Sequence, residues 1–169
     1  KIYFGFKDDA GKTGISSVNP DGTGLTKIIE ENFSGNITQE PTCSPNGLEL
    51  AFETSRDVNS EVYISNINGS NQRNITNNPS SDGQPRWSSN NNIAFVTDRD
   101  TPGTGELNFY LINPDSTGLT RLTNLAGVEV DLSWSSDSSR FLFTNGPVTG
   151  PFHVYLINRD GTGLTQLTT

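Results

Sequence analysis

At 169 residues the chain is long enough for one domain with a buried core, but only 31% of it is apolar, so that core must use narrow, regularly spaced positions. Eleven Lys and Arg against 19 Asp and Glu leave a net charge of −8 with no basic run, which excludes a phosphate-reading nucleic-acid surface. No apolar stretch approaches the roughly 18 residues of a membrane span, Cys43 has no second cysteine to pair with, and the start, which carries no leader pattern, reads as already processed.

The chain opens on Ile2 and Phe4 in IYFGFKDD (2–9), the alternation of a half-buried strand. The turn-rich block NPDGTGLTKIIE follows at 19–30. A fuller set then begins, with an anchor at Cys43, alternation at Leu50 and Phe52, VYIS at 62–65 and NINGSNQRNITN at 66–77. It recurs with Trp87, Ile93 and Phe95, FYLI at 109–112 and NPDSTGLTRLTN at 113–124. A last copy has Trp134, Phe141 and Phe143, VYLI at 154–157 and NRDGTGLTQLTT at 158–169. The leading asparagines, Asn19, Asn66, Asn113 and Asn158, stand 47, 47 and 45 residues apart. Each copy reads as short strands rich in β-formers, the fourth ending at Ile28, Ile75, Leu122 or Leu167. Pairs such as Asp21-Gly22, Asn68-Gly69 and Asp160-Gly161 supply the positive φ of tight hairpins.

A period of about 45 residues with four strands predicts an all-β chain built as a β-propeller. The predicted blades are 1–29, 40–76, 84–123 and 130–168, each a four-stranded antiparallel sheet except the first, which lacks its innermost strand. SWSSDSSRFLFT (133–144), IAFVTDRD (93–100), EVYISNINGS (61–70) and LTQLT (164–168) resemble the WD-like repeats of TolB-type propellers over nearly the whole chain. The resemblance implies a periplasmic or secreted protein in a fold that usually closes with six blades. Three arrangements stay open: a closed four-blade ring, an open arc, or part of a larger propeller. In an open arc the uncovered blade flanks permit self-association.

Numbering the strands of a blade outward from the axis, the turns after the first and third strands share one face and are short and repetitive. The other face carries the longer, dissimilar connections, 30–40, 77–84, 98–106, 124–131 and 145–151, and loops of that kind are where binding usually resides. Thirteen of the 19 acids map there: Asp8, Asp9, Glu30, Glu31, Glu40, Asp57, Glu61, Asp82, Asp98, Asp100, Glu106, Glu129 and Asp131. Lys7, Lys12, Arg56 and Arg99 are the main counter-charges, and the repeated Arg56-Asp57 and Arg99-Asp100 pairs are expected to bond between blades. At the head of the innermost strands, Glu40, Gln84 and Asp131 are expected to line a channel mouth, with Asp82 and Glu129 just upstream. Such a mouth suits cations, amides or a basic peptide.

No catalytic constellation stands out. His153, the sole histidine, reads as an ordinary strand residue, and Cys43 as a buried packing thiol in the place of Trp87 and Trp134. Asp-rich turns such as 19–22 read as hairpins, not calcium loops, and the sequons at Asn32, Asn36, Asn68 and Asn74 read as chance in an Asn-rich chain. The expected function is a non-enzymatic scaffold that binds a protein, peptide or other ligand through the acidic loop face, with neither metal nor cofactor. The alternative is the propeller portion of a larger peptidase or lyase.

Overall fold

A computed structural model describes residues 1–31 and 37–169. The sequons at Asn32 and Asn36, and the middle of the 30–40 connection, lie outside the described residues. Among the described residues there is no helix, hence none long and apolar enough to cross a membrane. There are four antiparallel sheets.

The first sheet is β1 (Ile2–Lys7), β2 (Thr13–Val18) and β3 (Thr26–Glu30). The second is β4 (Thr38–Cys43), β5 (Glu49–Thr54), β6 (Glu61–Asn66) and β7 (Arg73–Asn74). The third comprises β8 (Asp82–Trp87), β9 (Ile93–Thr97), β10 (Asn108–Ile112) and β11 (Thr120–Arg121). β12 (Val128–Trp134), β13 (Arg140–Gly146), β14 (His153–Asn158) and β15 (Thr165–Gln166) make the fourth. Strand order equals chain order in every sheet, the meander of a propeller blade. β1 pairs with β2 only, so the first blade does lack its innermost strand. The innermost strands of the other blades begin at 38, 82 and 128, two residues ahead of the predicted blade starts.

The repeated hairpin between third and fourth strands explains the NPDGTG block. The Asn19 amide bonds to the Thr23 carbonyl at 2.9 Å, and Asp21 Oδ1 accepts from the Thr23 amide at 3.0 Å and hydroxyl at 2.7 Å. The same constellation recurs at Asn113, Asp115 and Thr117, at Asn158, Asp160 and Thr162, and with Asn68 and Ser70 in the second blade. These side-chain oxygens, three carboxylates and the Asn68 amide, cap turns. Gly69 in the second-blade turn has φ of 84°, and a Cβ there would sit 2.3 Å from the Ile28 carbonyl of the first blade. Only glycine suits that position.

Alternation along each strand sends one set of side chains to each neighbouring blade. Ile15 and Ile29 pack on Leu50, Phe52 and Tyr63; Ala51, Val62, Ile64 and Ile75 on Trp87, Ile93, Phe95, Tyr110 and Ile112. Ala94, Val96, Phe109 and Leu122 pack on Leu132, Phe141, Phe143 and Ile157. These clusters join the blades in chain order, and among the described residues none joins the fourth to the first. The two end flanks show it. Ile2 (52% exposed) and Phe4 (37%) stand where the second and third blades bury Leu50, Phe52, Ile93 and Phe95, and Leu142 (40%) stands where they bury Ala51 and Ala94.

The anchors behave according to what precedes them. Trp87 is buried against the second blade, and half-buried Trp134 donates from Nε1 to the Arg86 carbonyl of the third, 3.2 Å away. Cys43 is exposed, contrary to the buried thiol the repeat predicts. The preceding blade has no innermost strand for Cys43 to pack on, so the position loses its burial rather than its place in the repeat.

Candidate functional site

Each complete blade breaks its pairing at one point in the innermost strand, between Gln39 and Thr42, Gly83 and Arg86, and Val130 and Ser133. Two residues there oppose one on the next strand, which is a β-bulge. The extra residues are Glu40, Gln84 and Asp131, with φ of 55°, 50° and 60°. The three predicted mouth residues thus share a left-handed backbone that costs a non-glycine residue about 1–2 kcal/mol. Opposite each bulge stands a buried phenylalanine, Phe52, Phe95 or Phe143, whose packing holds the distortion in place.

The bulges also bring the three blades together. Gln84 Oε1 accepts from the Asp131 amide at 3.3 Å, and the Gln84 amide donates to Glu53 Oε2 at 3.1 Å. Arg86 donates to Glu40 Oε2 at 2.8 Å, with about a third of each side chain exposed. Glu40, Gln84 and Asp131 therefore belong to one polar wall that runs from the second blade to the fourth. Arg86 puts a cation into a wall expected to be neutral or acidic, and the reading of counter-charges missed it. In β8 Gln84 and Arg86 are half-buried while Pro85 and Trp87 are buried, and the bulge between Gly83 and Arg86 keeps simple alternation from foretelling it. Glu40 further lines a cavity of about 580 Å³ beside the unpaired edge of β1, with Gly5, Phe6, Lys7 and Gln39.

Asp82 and Glu129 are elsewhere. Both are fully buried, so they do not face the mouth. Asp82 takes both its oxygens to Arg99, at 3.0 and 3.2 Å, and burial raises its pKa against the pull of Thr97 and Arg99. Glu129 accepts from the Phe109 amide at 3.0 Å, the Leu125 amide at 3.4 Å and the Thr123 hydroxyl. Burial pushes it up to about 7, although those bonds favour the charged form. Glu31 and Glu61 are buried too, bonded to Thr38 and Arg56 and to Asn59, Asn78 and Thr76 respectively. The loop face is therefore less acidic in its accessible chemistry than its composition suggests.

The Arg-Asp pairs were expected to bond between blades. Arg56 does so, donating to Glu31, whose amide bonds to Thr13 of the first blade, whereas Arg99 bonds to Asp82 of its own blade; each pair also builds a module inside its own blade. The Arg56 guanidinium lies over Tyr63, 4.8 Å from the ring centre, and Arg99 over Tyr110 at the same distance. Asp57 and Asp100 accept from the hydroxyls of those tyrosines. Burial, then the Asp57 bond, pushes the Tyr63 phenol up to about 12. His153 opens β14 across from Asn145 and is half-buried.

No family model matches the sequence, and no curated protein sequence matches it. Solved structures do match. A putative TolB from Agrobacterium tumefaciens superposes with a TM-score of 0.70 at 18% identity, over 96% of this chain and 63% of that one. A chain of a nidogen/laminin complex gives 0.74 at 12%, over 98% and 64%. A puromycin-hydrolyzing peptidase from Mycobacterium tuberculosis gives 0.70 at 16%, over 92% and 26%. At these identities the likeness establishes a TolB-like β-propeller fold. The chain spans less than two thirds of each of these proteins.

Proposed function

We propose that the chain is a binding scaffold whose recognition surface is the bulged wall of its innermost strands together with the surrounding long loops. The observation that carries this reading is the triple bulge. Three blades of dissimilar local sequence, QEPT, GQPR and VDLS, each hold a polar residue in a costly left-handed conformation at one equivalent place near the axis. Backbone strain of that kind persists where the surroundings over-determine it and clusters at ligand clamps. The wall offers carboxylate and amide acceptors from Glu40, Gln84 and Asp131 and one guanidinium from Arg86, a set that suits a polar, net-basic polypeptide segment. Likeness to TolB and to a chain of a nidogen/laminin complex supports a protein partner, and the TolB-like repeats suggest a periplasmic or secreted setting. The likeness to a peptidase rests on the shared fold and gains nothing from the wall.

The test is fluorescence titration with labelled basic and acidic peptide pools, comparing wild type with a Glu40→Ala, Gln84→Ala, Asp131→Ala triple variant. Preference for the basic pool, lost in the variant, is expected. Equal binding by wild type and variant removes the wall from the account.

A further inference from the structure

The fourth blade keeps the setting of the arginine module and lacks the arginine. Strand pairing fixes the equivalence: Thr54 pairs with Thr38 and Glu61, Thr97 with Asp82 and Asn108, and Asn145 with Glu129 and His153. Two residues beyond the threonines come Arg56 and Arg99, whose Nε groups donate to Thr54 Oγ1 and Thr97 Oγ1 at 3.4 and 3.1 Å. Two residues beyond Asn145 comes Pro147. The aromatic pair persists as Phe143 and Tyr155, but its rings lie 5.5 Å apart at 23°, closer and flatter than the 6.0–6.2 Å and 35–40° of the blades that hold a guanidinium.

What remains is a cavity of about 350 Å³ lined by Glu106, Asn145, Pro147, Val148, His153 and Tyr155, among others. Asn145 is 8% exposed, and its buried Oδ1 has no hydrogen-bond partner, whereas the threonines at its place accept from arginine. Its terminal amide torsion is soft, so the acceptor can turn to an incoming N–H. Glu106 contributes a half-buried carboxylate that forms no ion pair among the described residues. An aromatic ring, an orphaned acceptor and an uncompensated carboxylate are the groups that recognise a planar, stacking, multiply donating cation.

We propose that this cavity binds a guanidinium group, the side chain of an arginine on a partner polypeptide, which takes the place that Arg56 and Arg99 fill in the two preceding blades. The site is separate from the bulged wall and stands or falls independently of it. The chemistry favours arginine over lysine, whose compact ammonium neither stacks nor forks, and over citrulline, which has the shape but no charge.

The experiment is NMR titration of the chain with N-acetylarginine N-methylamide, its lysine and citrulline counterparts, and methylguanidinium alone. Saturable shifts at Asn145, His153 and Tyr155 are expected with the arginine probe, at least about tenfold weaker with lysine and absent with citrulline. Weaker binding of methylguanidinium than of the blocked arginine assigns the site to a polypeptide; equal binding overturns that source. Pro147→Arg should fill the cavity from within and abolish the shifts, and Glu106→Gln, at a half-buried loop position that keeps the fold, should weaken binding severalfold. Citrulline binding as well as arginine, or unchanged affinity in Glu106→Gln, overturns the proposal. The triple wall variant should bind the arginine probe as wild type does; loss there places the probe at the wall and also overturns the proposal.

Discussion

Trp87 and Cys43 occupy one repeat position and differ in what lies in front of them. Trp87→Ala removes an indole buried between two blades and should cost about 3–5 kcal/mol in chemical denaturation. Cys43→Ser should stay within about 0.5 kcal/mol, because the thiol is exposed. A thiol reagent should label Cys43 in the native chain; complete protection would mean that the first blade covers it after all. The repeat made the anchor position legible, but burial there depends on a strand the first blade does not have, and no property of Cys43 itself reports that. The bulge residues show the same limit. Polarity and position marked Glu40, Gln84 and Asp131, while the left-handed backbone that sets their direction was invisible, since one extra residue in a strand leaves no trace in composition. Gln84→Gly should relieve that backbone and raise stability by up to about 1 kcal/mol, whereas Gln84→Val should lower it, β-branched residues being poorly suited to positive φ.

At the scale of the element, the innermost strands combine a bulge that faces the axis with a buried acid two residues earlier in the third and fourth blades. Glu129 in β12 titrates near 7 in the folded chain against an ordinary 4.5. Between those values the folded state holds more proton than the unfolded state, so the contribution to stability is complete below about 4.5 and is lost as pH rises through about 7. Wild type should therefore lose stability between about pH 5 and 8 in urea denaturation, and Glu129→Gln should flatten that slope. An unchanged slope would assign the pH dependence to another group. Asp82, with Arg99 bound to both oxygens, shows why the sequence could not separate the two roles. Acids at the mouth and buried acids differ by one or two positions along a strand, and the bulge resets which side each faces.

For the whole molecule, the fold class and the order of strands were legible because the repeat recurs with its turn chemistry intact, and the missing innermost strand was visible as a missing anchor segment. Whether the first and fourth blades meet was not legible, because no residue of the repeat reports it; among the described residues no core cluster joins them. Their outer flanks keep Ile2, Phe4, Leu142 and Leu167 substantially exposed, which is the apolar surface that a further blade or a second copy would cover. Sedimentation should show concentration-dependent association of this chain, reduced in a Phe4→Lys, Leu142→Lys variant; a monomer at every concentration would leave those flanks without a role in self-association.

The account turns on the bulged wall as the recognition surface, and chemical-shift mapping of the basic peptide pool tests it most directly. The backbone amides of Glu40, Thr42, Gln84, Arg86, Asp131 and Ser133 should shift together and saturate at one concentration. Shifts confined to the repeated turns at 19–24, 66–71, 113–118 and 158–163, or to the exposed flanks, with the wall unmoved, would contradict it.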